Sequence, residues 1–313
     1  MDEIERIERR LKLHDMRVLM SVVKAGSMHK AAELLATSQP AVSRAIAELE
    51  HALGVRLLDR SPSGIEPTQY GQAIIKRGLA VFDELRQGVK DIEFLSDPTS
   101  GELRIGCSVH AASGPVLAVI DRLTRRHPRM VFDVITGPVL TVCRDLTERR
   151  VELVITRIAE FADQDNMVVE NLFDDDIVTV AAMKNPWTRR RRIELAELVD
   201  ESWTLPPRDT GIGAFAIDAF RARGLKPPRA TVITYSMHMR NSLLATGRFL
   251  TMLPSYSLML PGKHPSLKAL PVALDNARGT IAIITLKNRT LSPLAELFIK
   301  TIRTVVKPLA NPR

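Results

Sequence analysis

Ser38-Gln39-Pro40-Ala41-Val42-Ser43-Arg44-Ala45-Ile46-Ala47-Glu48-Leu49-Glu50-His51-Ala52-Leu53-Gly54 decides how the first part of this 313-residue chain folds. Val42, Ile46, Leu49 and Leu53 recur at spacings of 4, 3 and 4, which puts them on one face of a helix. Ser38 is a natural N-cap, and Pro40 sits in the first turn, where a missing N–H costs nothing. Gly54 ends the helix, and its outer face shows Gln39, Ser43, Arg44 and Glu48. Upstream, Asp15–Ala25 predicts an amphipathic helix with Met16, Leu19, Met20, Val22 and Val23 inward. Gly26-Ser27 closes it, and Ser27 caps a second helix containing Ala31, Ala32, Leu34 and Leu35, whose alanines permit a close crossing. Thr37-Ser38 forms the short break before the third helix.

Two short helices joined by a tight break, the second presenting small polar and basic groups at its N-terminal end, make a helix-turn-helix. A helix entering the major groove needs groups that match base edges. Gln bonds adenine and Arg bonds guanine through paired contacts, while Ser and Ala let the helix sink deeply. Val55–Arg60, a turn at Ser61–Gly64 and Ile65–Thr68 predict a two-stranded wing, with Arg60 at its edge for a phosphate or the minor groove. On periodicity alone, an ordinary three-helix packing unit with solvated polar positions fits equally well.

The residues also resemble a known family. Ala31-Ala32, Ser38-Gln39-Pro40-Ala41-Val42-Ser43-Arg44, Leu49-Glu50, Leu53-Gly54, Leu57-Leu58-Asp59-Arg60, Pro67-Thr68 and Gly71 are similar to the N-terminal domain of LysR-type bacterial transcriptional regulators. The resemblance implies a winged helix-turn-helix DNA-binding domain over residues 1–68. Carried over position by position, it assigns Ser38, Gln39, Pro40, Ser43 and Arg44 to the recognition surface and Arg60 to the wing. The acidic start, with Asp2, Glu3, Glu5 and Glu8, departs from the family's usual beginning, and the pair Glu5–Arg9 reads as a solvated helix.

Residues 69–95 form the next unit. Thr68 to Leu95 contains no proline and mostly helix formers, giving a helix roughly 40 Å long. Ile74, Val81, Leu85, Ile92 and Leu95 repeat at sums near seven, with Gly78 and Gly88 in the remaining seam positions. A helix this long needs a partner, which points to coiled-coil-like dimerisation, with packing on its own domain as the other outcome. The family resemblance implies dimerisation through this helix and, often, a tetramer, so a homodimer assembled further into a homotetramer is expected. Two recognition helices about a two-fold axis read a roughly palindromic duplex, with half-site centres about one turn (~34 Å) apart.

Ser96-Asp97-Pro98-Thr99-Ser100-Gly101 is a turn-forming boundary. Beyond it, strand candidates Leu103–Gly106, Val131–Thr136, Leu153–Thr156, Ile177–Ala181, Thr231–Thr234, Phe249–Leu253 and Thr280–Leu286 alternate with helical stretches at 114–126, 138–149, 213–223, 237–246 and 291–306. This alternation predicts doubly wound α/β layers on a mostly parallel sheet. Gly101-Glu102-Leu103-Arg104-Ile105-Gly106, His127-Pro128 and Leu244-Ala245-Thr246-Gly247 continue the family resemblance. It implies a two-subdomain, periplasmic-binding-protein-like effector domain over 102–313, with subdomain I at about 102–173 and 266–313 and subdomain II at about 174–265. Arg149-Arg150-Val151-Glu152 and Arg248-Phe249 depart from the family pattern, and the ligand is not carried over.

In such folds ligands sit at strand C-termini and helix N-termini between lobes. The candidate effector-binding residues are Ser108, His110, Ser113, Gly137, Pro138, Thr156, Arg157, Thr210, Gly211, Ser236 and His238. Helix N-termini and an arginine favour an anion, so the expected effector is a small carboxylate-like molecule.

Composition bounds the alternatives. Hydrophobic residues make up 45% and charged residues 26%, which excludes a disordered or fibrous chain. Apolar runs such as Val116–Ile120 and Ile281–Leu286 are far short of the ~18 residues a membrane span needs. Met1 to Lys12 lacks a secretory core, which points to the cytoplasm and the nucleoid. The net charge of +8 is a poor argument for DNA binding: residues 1–100 carry 14 basic against 15 acidic groups, and residues 101–313 carry 30 against 21. Two cysteines, Cys107 and Cys143, make neither a disulfide scaffold nor a zinc cage, and no cofactor or metal is expected. Asp174-Asp175-Asp176 reads as a charged crossover surface, and Arg189–Arg192 as a solvated loop. Gly211-Ile212-Gly213-Ala214-Phe215-Ala216 fits a dinucleotide fingerprint but lacks its acidic partner and its opening strand–helix unit. Ser21-Val22-Val23-Lys24 matches an acyl-enzyme motif without the companion motifs. The expected function is sequence-specific transcription control by a non-enzyme. The alternative is a small-molecule-binding or metabolic α/β protein whose N-terminal helices serve oligomerisation.

Overall fold

The computed structural model describes residues 5, 7, 9–61, 64–158, 164–259 and 266–310. They form two compact units, divided between Arg86 and Gln87.

In the first unit, α1 (Leu13–Ala25), α2 (Met28–Leu34) and α3 (Gln39–Leu53) precede a hairpin of β1 (Leu58–Ser61) and β2 (Gly64–Pro67). A long helix, α4 (Gln69–Ser96), follows. The helix ends are set locally. Ser27 and Ser38 cap α2 and α3, and Gly26 and Gly54 close α1 and α3 in the left-handed conformation at φ 68° and 70°. The core joins Leu19 and Val22 of α1, Ala31 and Ala32 of α2, Val42, Ile46 and Leu49 of α3, Leu57, and Phe82 of α4. Val18 is also fully inside, whereas Met20 and Val23 only border the core. Arg17 lies over the Phe82 ring, 5.1 Å from its centroid. Gly78 belongs to this packing and not to an outward seam, since a Cβ there would stand 3.2 Å from Met16 Cε. Val81, Leu85, Ile92 and Leu95 of α4 are exposed, Leu95 at 81%.

The second unit contains β3 (Ser100–Cys107), α5 (Leu117–Arg126), β4 (Arg129–Thr136), α6 (Val139–Thr147), β5 (Leu153–Arg157), β6 (Met167–Ala182), β7 (Trp203–Leu205), α7 (Gly211–Arg221), β8 (Ala230–Ile233), α8 (Met237–Ala245), β9 (Leu250–Pro254), β10 (Leu267–Ala269), β11 (Arg278–Leu286) and α9 (Pro293–Val305). A helical turn at Val109–Ala111 and a wide turn at Ala112–Val116 lead into α5. The strand order is β4-β3-β5-β11-β6-β9-β7-β8, with β10 on β6. This sheet is mixed where the sequence predicts a mostly parallel one. β3–β4, β3–β5, β7–β8 and β7–β9 are parallel, while β11 runs against β5 and β6, and β6 runs against β9 and β10. The antiparallel pairings all involve the two strands that carry the chain between lobes.

β6 is more than three times the length of the predicted strand. Its first part, through Asp176, pairs with β11, and from Ile177 it pairs with β9. The aspartate run therefore sits at the crossover. Asp174 accepts from Thr280 Oγ1 at 2.7 Å and pairs with Arg278 at 3.3 Å. The first lobe buries Leu103, Ile105, Leu153, Ile283 and Phe298. The second buries Trp203 and Phe220, packed edge to face at 5.8 Å, with Leu250, Met252, Leu270 and Ala277. Leu270 and Ala277 carry this second core past residue 266, and the chain returns to the first lobe on β11, from Arg278. Among the described residues, no helix is long and apolar enough to cross a membrane.

Candidate functional sites: an exposed helix and an interlobe cavity

The first site is the outer face of α3. Ser38 Oγ accepts from Ala41 N at 3.4 Å and so caps the helix it precedes. Gln39, Pro40 and Arg44 are exposed and Ser43 is half-buried, while Val42, Ala45 and Ile46 turn inward. The polar flank is thus presented by a helix whose opposite flank is anchored in the core. Glu48, the remaining outer residue, is engaged by Lys12 at 3.2 Å.

The wing is fixed to this helix by Glu50. Its Oε1 accepts from Leu57 N at 2.7 Å and from Leu58 N at 3.3 Å. Thr68 Oγ1 donates to Arg56 O at 2.8 Å and accepts from Gly71 N at 3.1 Å, which ties the far end of the wing to α4. Gly71 admits no side chain, because a Cβ would stand 2.1 Å from Leu57 O. These contacts hold Arg60, exposed on β1 opposite Ile65, at a fixed distance along the hairpin from α3.

The second site is a cavity of about 350 Å³ between the two lobes. Ser108, His110, Gly137, Pro138, Thr156, Arg157, Thr210 and Gly211 line it, so eight of the predicted positions converge. Three do not. Ser113 is exposed, and its hydroxyl donates back to Val109 O and His110 O at 3.3 and 3.2 Å. Ser236 caps α8 by accepting from Met239 N at 3.2 Å, and both it and His238 are exposed. Arg240, Tyr235 and Tyr256 are cavity residues that the sequence reading leaves out. Arg240 lies one turn beyond the Ser236 cap, on a buried part of α8, and its position in the sequence carries no signal that this turn faces the cavity.

The polar chemistry of the cavity is unusual. Arg240 is 4% exposed, its Nη2 touches only Met237 Sδ at 3.7 Å, and its Nε has no protein partner. No carboxylate pairs with it among the described residues. Buried His110 has neither ring nitrogen bonded, and burial, reinforced by the positive charge of Arg240, depresses its pKa to about 3. Its imidazole is therefore neutral near pH 7. Thr156 Oγ1, fully buried, also lacks a protein partner.

Arg157 differs. Its Nη1 and Nη2 donate to Asp175 O at 3.3 Å and Ala277 O at 2.5 Å, one carbonyl on each crossover between the lobes. Gly279 makes room for it, since a Cβ there would come within 2.4 Å of the guanidinium. Asp175 in turn accepts from Ser255 Oγ at 2.6 Å and Tyr256 N at 3.0 Å, and burial raises its pKa.

The glycine-rich stretch at 211–216 has a packing role. Thr210 caps α7 by accepting from Gly213 N at 3.1 Å, and a Cβ on Gly213 would stand 2.1 Å from Pro207 O. The glycine lets the helix start sit against the Pro206–Pro207 backbone.

Comparison with known proteins covers both units. Residues 13–72 match the family model described as bacterial regulatory helix-turn-helix protein, lysR family. Residues 96–307 match the LysR substrate binding domain. The HTH-type transcriptional regulator GbpR of Azospirillum brasilense is 26% identical over 298 residues, covering 95% of this chain and 87% of GbpR. A full-length OxyR variant from Pseudomonas aeruginosa shares the fold with a TM-score of 0.65 at 20% identity, covering 94% of this chain and 95% of that one. Full-length CbnR, solved in complex with its target DNA, aligns with a TM-score of 0.52 at 19% identity over 95% of this chain and 100% of its own. With one model covering the exposed helix and its wing and the other covering both lobes of the cavity, the chain belongs to the LysR family, as a DNA-binding transcription regulator with an effector-binding domain and not an enzyme.

Proposed function

We propose that residues 1–68 read duplex DNA, that residues 69–95 pair two copies, and that the lobes of 102–313 close on a small anionic effector that switches the complex. The observation that carries the effector reading is Arg240: a guanidinium only 4% exposed, lining a cavity, with no acidic partner among the described residues. Leaving a charge so buried and uncompensated is costly, and an anionic ligand offsets that cost. On the DNA side, Ser38, Gln39, Pro40, Ser43 and Arg44 form the recognition face, and Arg60 extends it. The exposed stripe Val81, Leu85, Ile92 and Leu95 supports pairing along α4. Two such copies read a roughly palindromic operator, and a dimer of dimers acts at the nucleoid. Arg157, bonded to a carbonyl on each crossover between the lobes, would pass a change in lobe closure to the spacing of the DNA contacts.

The test is selection of bound duplexes from a random library, followed by binding assays on the winner. A two-fold-related sequence is expected, with affinity falling steeply as salt rises. Arg44→Ala should weaken that duplex at least about fivefold, the loss of a paired base contact. Equal affinity of the variant and the parent removes α3 from DNA recognition.

A further inference from the structure

We infer that the effector is an amphipathic monoanion, a single carboxylate on an apolar body, held by Arg240 beside His110. The inference rests on the cavity being the effector site. Among the described residues, two arginines border the cavity. Arg157 is committed: two of its N–H groups donate to the carbonyls of Asp175 and Ala277, and the buried Asp175 carboxylate beside it offsets its charge. Arg240 has only a weak sulfur contact and a bare Nε, so its guanidinium is available to a carboxylate. No lysine and no acidic residue among those described lines the cavity, and His110, kept neutral by burial, adds one N–H donor but no charge.

The rest of the wall is apolar or weakly polar. Val109, Val139, Ile212, Pro254 and Ile281 belong to it, with buried Tyr256. A second carboxylate on the ligand would find no second unpaired cation, only the partial positive charge of the helix starts at Val139 and Gly211. A dianion is therefore disfavoured by the desolvation of its poorly compensated second charge, and a neutral molecule is disfavoured for leaving Arg240 bare. The unbonded Thr156 hydroxyl adds one neutral donor to the wall. At about 350 Å³ the space lies at the small end of ligand cavities, roughly 300–1,000 Å³.

Three probes of equal chain length separate the outcomes: hexanoate, hexanamide and hexanedioate, each titrated into the full-length protein by calorimetry and by thermal shift. Hexanoate should bind, and hexanamide and hexanedioate should each bind at least about tenfold more weakly. Arg240→Gln should abolish the hexanoate response. The variant's thermal transition without ligand should not fall, because an uncompensated buried charge has been removed, and this result shows that it folds. Hexanedioate binding as well as hexanoate overturns the monoanion inference and leaves an anionic effector standing. Hexanamide binding as well as hexanoate overturns both. No hexanoate response at about 10 mM, or an undiminished response in a folded Arg240→Gln, also overturns the inference.

Discussion

Glu50 is the residue by which α3 and the wing become one surface, and Glu50→Ala tests that role quantitatively. Its carboxylate oxygen accepts from two backbone N–H groups, of Leu57 at 2.7 Å and Leu58 at 3.3 Å, whose side chains are buried. The shorter contact is a charge-assisted hydrogen bond worth about 1.5–3 kcal/mol, and the longer one adds about 0.5 kcal/mol. Water can reach half-buried Glu50 and recover part of this, so the net cost is about 2 kcal/mol. For a domain of this size that is a change of roughly 30-fold in the folded-to-unfolded ratio, and it lowers the midpoint by about 8–16 °C. Both tryptophans, Trp187 and Trp203, lie in the second unit, so their fluorescence transition should stay where it is. The loss should appear in hydrogen exchange, with the Leu57 and Leu58 amides exchanging about 30-fold faster. Duplex binding should weaken with it, because Arg60 rides on the strand that Glu50 anchors. Glu50→Gln keeps an acceptor oxygen and should recover about half of the loss. Unchanged protection of Leu57 and Leu58 in Glu50→Ala would refute the reasoning.

Three further outcomes follow from other parts of the molecule. Ala36, in the turn before α3, has φ 50°, a left-handed conformation that favours glycine, so Ala36→Gly should stabilise the first unit by about 0.5–1 kcal/mol in urea unfolding. His110 titrates near 6.5 when unfolded but at about 3 when folded, so the unfolded chain takes up the proton first and stability is lost as pH falls below 6.5. The expected loss is about 2 kcal/mol between roughly pH 7 and pH 5. His110→Gln should remove that slope, and an unaltered pH profile of unfolding would contradict it. Burial pushes the Cys107 thiol up to about 12 and the Cys143 thiol up to about 11, so neither should react with iodoacetamide at about pH 8 until the protein is denatured. Mass spectrometry after brief native labelling reads this directly, and a labelled thiol on either would show that it is accessible.

The N-terminal unit was legible in the sequence because its determinants are local. Ser27, Ser38, Gly26 and Gly54 set helix ends within a turn of themselves, and the 4-3-4 spacing of Val42, Ile46, Leu49 and Leu53 identifies the inward face without knowledge of what it meets. The same holds for the α/β alternation beyond residue 100, where most predicted helices and strands fall within a few residues of those observed. What escaped was decided by residues far apart. The run Asp174-Asp175-Asp176 interrupts the apolar pattern of β6, so the sequence shows a short strand from Ile177. In the fold, Thr280, Arg278, Ser255 and Tyr256 meet Asp174 and Asp175, and the strand continues through them. The three-residue β7 is too short for any period to register.

The cavity divides the same way. Strand ends and helix starts were enough to bring eight positions together. Yet which turn of α8 faces inward, and hence that Arg240 lines the space while His238 does not, depends on how the second lobe meets the first. A side chain's chemistry is written in its own residue. Whether it is buried without a partner is a property of everything around it, and the unpaired state of Arg240 and His110 exists only in the assembled tertiary structure.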